Sequence, residues 1–202
     1  SNLISIGPQS LSELCLRDCG ATAETITKLM EGVKVAKNLQ ILDISHNYFE
    51  VEGCEAIGEA LAVNSKIRQL LINECDVGPA GIAAIAKGLQ HNISVETLFM
   101  GDNGIGDEGA AAVASMLKLN SRLKHLDIQE NGICLAGITD ICNALKSNRS
   151  LVFLGLQWNE LSNDAALPIS EMLSQNNILR SVHIIGTQID EAGVRRIMDA
   201  SI

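Results

Sequence analysis

Two residues near the middle of the chain have the types and spacing for acid–base chemistry. His125 and Asp127 are separated by one residue, so on a β-strand both side chains would face the same way. An imidazole beside a carboxylate serves as a general base when a Ser or Cys nucleophile lies within reach. The spacing of the sequence places no such nucleophile beside this pair. An open sheet would also leave the carboxylate hydrated, so we expect no catalytic residues.

Six cysteines raise the question of metal binding and of disulfides. No two of them form a C-x-x-C pair, and Cys54 and Cys142 fall on the apolar stripes of predicted helices, where a thiol packs as a small apolar group. We therefore predict no metal, no cofactor and a reducing, cytoplasmic compartment. The N-x-S motifs at Asn92 and Asn148, which resemble N-glycosylation sites of secreted proteins, are the evidence against that compartment.

The balance of charge is acidic, with a net charge of −9 and a pI near 4.9. A nucleic-acid interface needs clustered Lys and Arg, so we expect no nucleic-acid partner. No apolar run approaches the roughly 20 residues that span a bilayer, and the first residues lack a signal-peptide pattern, so we expect no membrane partner. A protein partner with a basic patch fits an acidic chain best.

The elements that would position these residues recur along the chain every 28 positions. The clearest copy runs from Val95 to Arg122. Its apolar residues stand at positions 1, 4 and 6 and its Asn at position 9: Val95, Leu98, Met100 and Asn103. Seven copies begin at residues 11, 39, 67, 95, 123, 151 and 179. Alternation over positions 3 to 8 predicts a short strand, and apolar spacings of three and four from about position 13 predict a helix.

This L-x-x-L-x-L-x-x-N/C pattern resembles the leucine-rich repeat, and the full helix in each copy resembles the ribonuclease-inhibitor-like subclass. Ran GTPase-activating protein and NOD-like receptors carry repeats of this kind. The resemblance implies an α/β fold, a right-handed β/α solenoid in the shape of a horseshoe, with parallel strands on the concave side and helices on the convex side. We expect one domain over residues 1–202, with residues 1–10 as an N-terminal flank.

Positions 5, 7 and 8 of each repeat are predicted to lie on or beside the outward side of the strands. This surface combines a row of acids in neighbouring repeats with apolar side chains that no core position explains. Like charges on adjacent strands oppose folding slightly, so an acidic row favours a basic partner. The residues predicted to bind that partner on the concave face are Asp43, Leu71, Glu74, Phe99, Asp102, Asp127, Glu130, Phe153, Gln157 and Trp158.

The expected function is a non-catalytic module that binds a protein on this face. Trp158 is predicted at its centre, because Trp is common at binding hot spots and because Gly155 and Gly186 on the neighbouring strands leave room for a partner. The chain ends inside the last predicted helix without a polar cap, so we also expect self-association through that end.

Two other functions follow from the resemblance. One is the ligand-sensing or autoinhibitory portion of a larger protein of the NOD-like-receptor type. The other is a GTPase-activating regulator that resembles Ran GTPase-activating protein. We expect no Arg in the strand-to-helix loops, which argues against an arginine finger supplied from them.

Overall fold

The computed structural model describes residues 10–199, where seven three-residue strands alternate with seven helices. The predicted N-terminal flank, residues 1–10, lies outside the described residues apart from Ser10. The strands are β1 (Glu13–Cys15), β2 (Ile41–Asp43), β3 (Gln69–Leu71), β4 (Thr97–Phe99), β5 (His125–Asp127), β6 (Phe153–Gly155) and β7 (Ser181–His183). The helices are α1 (Ala23–Val35), α2 (Glu50–Val63), α3 (Gly78–Leu89), α4 (Gly106–Leu119), α5 (Leu135–Leu145), α6 (Ala166–Gln175) and α7 (Glu191–Asp199), with a 3-10 turn (Asn163–Ala165) before α6.

All seven strands form one sheet, in chain order and parallel throughout. Paired residues are 28 positions apart at every step, as in the pairs of Leu14 with Leu42 and of Leu98 with Leu126. Each of the helices α1 to α6 serves as the crossover between two parallel strands, and all of them cover the same side of the sheet. The predicted α/β solenoid with a parallel sheet is therefore confirmed.

The regular strands are shorter than the alternation predicts, since they cover positions 3–5 and not 3–8. Backbone hydrogen bonds continue beyond them: Ile44 N–H donates to Leu71 O at 3.0 Å, and His46 N–H donates to Asn73 O at 2.8 Å. The chain then turns at position 8, where φ lies between 51° and 73° in all seven repeats. This left-handed residue ends the extended backbone and directs the chain toward its helix.

Side chains at positions 4 and 6 fill the space between the sheet and the helices. Leu70 and Ile72 have no exposed surface, and Val113 and Leu117 of α4 are equally buried on the helix side. Burial of such a side chain contributes about 1.5–3 kcal/mol to the free energy of folding.

No helix between residues 10 and 199 is long and apolar enough to span a bilayer.

The Asn at position 9 satisfies backbone groups that the turn would otherwise bury without a partner. Asn103 donates to Ile72 O at 2.8 Å and to Met100 O at 3.0 Å, and its Oδ1 accepts from Cys75 N–H at 3.0 Å. Asn159 forms the same set of contacts two repeats later. Cys75 itself donates only weak thiol hydrogen bonds, so this turn has fewer bonds than its neighbours.

A second row of Asn residues joins the ends of helices α2 to α6 to the repeat before each of them. Asn92 Nδ2 donates to Leu61 O at 2.6 Å, and Asn148 Nδ2 donates to Leu117 O at 2.8 Å. Both side chains are buried. The amide nitrogens that a glycan would need are therefore enclosed by the folded chain, and the two N-x-S motifs have a structural explanation.

Candidate protein-binding surface

The outward side of the sheet, together with the turns at its carboxyl edge, is called the strand face below. Position 5 forms a continuous column on it, in which Leu71 pairs with Phe99 and Phe99 pairs with Asp127. Asp43 precedes them in the same column. These four side chains are half-buried. The structure thus brings the predicted position 5 residues together as neighbours along one row.

Position 8 forms a second row at the carboxyl edge, and its members share the left-handed backbone. The row consists of Asp18, His46, Glu74, Asp102, Glu130, Trp158 and Gly186. This conformation costs a residue with a Cβ about 1 kcal/mol or more, and a bulky residue adopts it rarely. Because the backbone turns here, position 8 side chains extend from the rim of the sheet.

The three consecutive acids of this row, Glu74, Asp102 and Glu130, are called the acidic row. They differ in whether a side chain of the protein itself pairs with the carboxylate. Glu74 Oε1 lies 3.1 Å from His46 Nε2, and the same nitrogen lies 2.6 Å from Arg17 Nη2. Asp102 and Glu130 form no hydrogen bond or ion pair with any side chain between residues 10 and 199. The two carboxylates in the middle of the row are therefore available to a cationic group from outside.

Trp158 is 59% exposed, yet one face of its ring is fixed by the next repeat. A Cβ on Gly186 would lie 2.2 Å from Trp158 Cε3, so the indole rests directly on the glycine backbone. The expectation that Gly186 leaves room for a partner is wrong, because Trp158 itself fills that space. The consequence is a ring that is held in place with its outer face open to solvent.

Two acceptor oxygens converge over Gly155. A Cβ at Gly155 would lie 2.6 Å from Asp127 Oδ1 and 2.9 Å from Gln157 Oε1, so the room predicted for a partner here is also occupied by the chain's own side chains. Burial raises the pKa of the Asp127 carboxyl, although Gln129 N–H and His183 oppose the rise. Gln157 Oε1 is buried and receives no hydrogen bond. Acceptors therefore outnumber donors at this point.

An aromatic cluster adjoins these oxygens, and only part of it was expected. Phe153 contacts His125 edge to face with ring centres 6.0 Å apart, and it contacts His183 in the same manner at 4.8 Å. Neither histidine is among the predicted binding residues. Position 3 pairs His125 with Phe153 across neighbouring strands, so reading that column in the sequence would have found the contact.

The arrangement offers little for catalysis. Burial raises the pKa of the Cys54 and Cys142 thiols to about 12, which keeps both protonated and unreactive. Within residues 10–199 no three His, Cys, Asp or Glu side chains are grouped as a metal site would require. The expectation that no strand-to-helix loop contains an Arg is wrong. Strand β1 ends at Cys15, so Arg17 lies in the loop that connects β1 to α1.

Comparisons with known proteins agree with this fold. Residues 35–58 and 91–114 each match a family model described as Leucine Rich repeat. No curated protein matches the sequence significantly.

Among solved structures, the chain is similar to one titled leiomodin-1 actin-binding site 2, at 21% identity and a TM-score of 0.62, over 72% of this chain and 85% of that one. It is also similar to a tropomodulin C-terminal domain from Caenorhabditis elegans, at 15% identity and a TM-score of 0.64, over 73% and 90% of the two chains. Likeness at such identities shows the fold alone. The two matched segments and the parallel α/β solenoid together support a leucine-rich repeat protein.

Proposed function

We propose that this protein is a non-catalytic interaction module that binds a protein partner on its strand face, with Trp158 at the centre. The observation that carries the proposal is the exposure, backbone conformation and fixed ring orientation of Trp158. It is largely exposed, it adopts a φ of 58°, and its ring is held against Gly186. A bulky residue in this conformation needs an explanation, since the other members of the row are polar or Gly.

A ring held in one orientation loses little conformational entropy on binding. Trp residues are frequent hot spots because they bury a large apolar area and keep an N–H to donate. Phe153 and Gln157 lie in the same repeat and extend the contact area toward the sheet. Preorganisation of this kind increases affinity without any new contact.

The charge around Trp158 favours a partner with a basic patch. Glu130 and Asp102 precede it in the row and lack internal partners among the described side chains. A Lys or Arg of the partner would pair with them at the rim, where such pairs affect association rate and specificity more than affinity. A donor from the partner near Gly155 would also relieve the excess of acceptors at Asp127 and Gln157.

Actin is the first partner to test, because one of the solved structures with this fold is titled an actin-binding site. Binding of purified actin would be measured by fluorescence anisotropy and by co-sedimentation. Trp158→Ala is expected to weaken binding about 30-fold or more, as hot-spot truncations that cost ~2 kcal/mol do. Ile93→Ala is the matched control, since Ile93 is 74% exposed and lies at a repeat junction away from the strand face.

A partner other than actin would be sought with a photo-crosslinking amino acid at position 130, compared with the same group at position 93. Crosslinks specific to position 130 should disappear when Trp158→Ala is introduced. Circular dichroism would show that the variant keeps its thermal stability. A full loss of stability in Trp158→Ala, or equal affinity of the variant and the parent for the captured protein, would contradict the proposal.

A further inference from the structure

The opposite edge of the sheet, where the strands begin, has a basic character that the acidic composition conceals. Seven of the 15 Lys and Arg residues lie in the short segments that lead into the strands, although the whole chain carries a net charge of −9. They are Lys37, Lys66, Arg68, Arg122, Lys124, Arg149 and Arg180. Position 2 and position 8 are six residues apart, so this edge lies roughly 20 Å from the acidic row.

One carboxylate at this edge, that of Glu96, is bound by several of these basic side chains. Glu96 Oε1 accepts from Arg68 Nη1 at 2.9 Å, and Glu96 Oε2 accepts from Lys124 Nζ at 2.9 Å. Arg122 Nη2 also contacts Glu96 Oε1. The hydrogen bond from Lys124 lowers the pKa of Glu96 most, and all three cations act in the same direction. Three cations therefore share one anion.

Part of this arrangement recurs two repeats later, without the carboxylate and without a counterpart of Arg122, since Ile178 stands in its place. A shift of two repeats maps Arg68 onto Lys124, Glu96 onto Val152, and Lys124 onto Arg180. The backbone repeats as well. Glu96 N–H donates to Arg68 O at 2.8 Å and Val152 N–H donates to Lys124 O at 2.8 Å, and each donor residue's own carbonyl accepts from the next repeat.

The two cations of the second site are separated by the same two strand spacings, about 10 Å, that Glu96 bridges in the first site. Arg180 is exposed, and its guanidinium forms no ion pair with any residue between 10 and 199. Val152 is half-buried and offers neither charge nor hydrogen bond from its side chain. The second site thus has two cations, of which Lys124 also holds Glu96 through its Nζ and Arg180 has no ion pair among the described residues, and it lacks an anion at Val152.

We infer that Lys124 and Arg180 bind an Asp or Glu side chain of a protein partner above Val152, in an intermolecular copy of the Glu96 site. A carboxylate is the favoured ligand, because its two oxygens already bridge this spacing inside the chain. Phosphates of a nucleic acid are disfavoured, because the overall charge of −9 repels a long polyanion. The inference extends the proposed function to a second edge of the same face, and it does not depend on Trp158.

The first test supplies the missing carboxylate by a substitution in the protein itself. Val152→Glu should fill the site, and the introduced carboxyl should titrate below the ordinary Glu pKa of about 4.3 when followed by NMR. Gln40→Glu is the matched control at the same repeat position, because it has Arg68 on one side and Ser12 on the other. Its carboxyl should show a smaller decrease. Equal pKa values in the two variants would overturn the inference.

Ligand binding is then measured with acetyl-Gly-Glu-Gly-Glu-Gly-amide, its Gln counterpart and oligo(dT), each titrated at low salt into isotope-labelled protein. The Glu peptide should shift the amide signals of Lys124, Val152 and Arg180, and the Gln peptide should not. Val152→Glu should weaken that binding about tenfold or more, while Val152→Gln and Trp158→Ala retain it. Uniform shifts at all basic residues, unchanged binding in Val152→Glu, or tighter binding of oligo(dT) at these amides would each refute a carboxylate site.

Discussion

The two sides of the sheet follow opposite rules, as the neighbouring residues Leu70 and Leu71 show. Leu70 faces the helices and has no exposed surface, whereas Leu71 lies on the strand face and is half-buried. On the helix side the residue type is nearly constant from repeat to repeat. On the strand face the same column holds Asp43, Leu71, Phe99 and Asp127 in succession.

The difference teaches which positions carry stability and which carry recognition. Each interior position meets the same packing and the same unpaired backbone groups in every repeat, so one side-chain type serves throughout. Asn103 and Asn159, for example, form equivalent sets of hydrogen bonds. The strand face imposes no such demand. Its residues are free to differ, and their differences can match a partner.

The largest expected effect comes from truncating the two adjacent leucines. Leu70→Ala removes a fully buried side chain and should lower the free energy of unfolding by about 2–5 kcal/mol. Leu71→Ala should cost less than about 1 kcal/mol, because its surroundings include solvent. Chemical denaturation of both variants measures the two losses in the free energy of unfolding. Equal losses would show that the strand face is as essential to folding as the core.

A smaller effect is expected where the strand face contacts itself. Gly186→Ala and Gly104→Ala both place a Cβ on a residue with positive φ, at 73° and 60°, and each should cost about 1 kcal/mol for that reason. Gly104 has open space around it, whereas a Cβ on Gly186 would collide with Trp158.

Gly186→Ala should therefore cost about 1 kcal/mol more than Gly104→Ala. Only Gly186→Ala should change the fluorescence of Trp158, the single Trp of the chain. Matching losses of stability with identical emission spectra would mean that the ring does not rest on Gly186.

The smallest effect concerns the carboxyl of Asp127, whose pKa burial raises above its usual value of 3.8. A raised acid pKa means that the folded state holds the proton more tightly than the unfolded state does. The stabilisation from this group is complete below about pH 3.8 and is lost as the pH rises through the folded pKa. Asp127→Asn keeps an acceptor for Gln129 N–H and removes the half-buried charge.

At pH 7, Asp127→Asn should be more stable than the parent chain by less than about 1 kcal/mol, and this advantage should shrink as the pH falls. Thermal unfolding between pH 3 and pH 7 measures the difference. The substitution should also weaken partner binding, since it removes a charge from the strand face. A variant less stable than the parent at pH 7 would show that the Asp127 charge is satisfied internally.

Much of the fold could be predicted from the sequence. The constant repeat length determined the register of every strand pair from β1 to β7, and the apolar positions indicated the sides that face the core. The physical reason is that every repeat presents the same local pattern to the same neighbours. The strand face could be located in the same way, because side chains alternate along a strand.

Side-chain contacts on that face were decided only by the tertiary structure. The sequence placed Trp158 and Gly186 in one row. The contact of the indole with the Gly186 backbone, however, depends on the left-handed turn at position 8. Glu96 pairs with cations from the segments that lead into β3 and β5. Long polar and aromatic side chains have several partners within reach. Which partner each contacts is settled by competition among neighbours that lie a full repeat away in sequence, which no local pattern encodes.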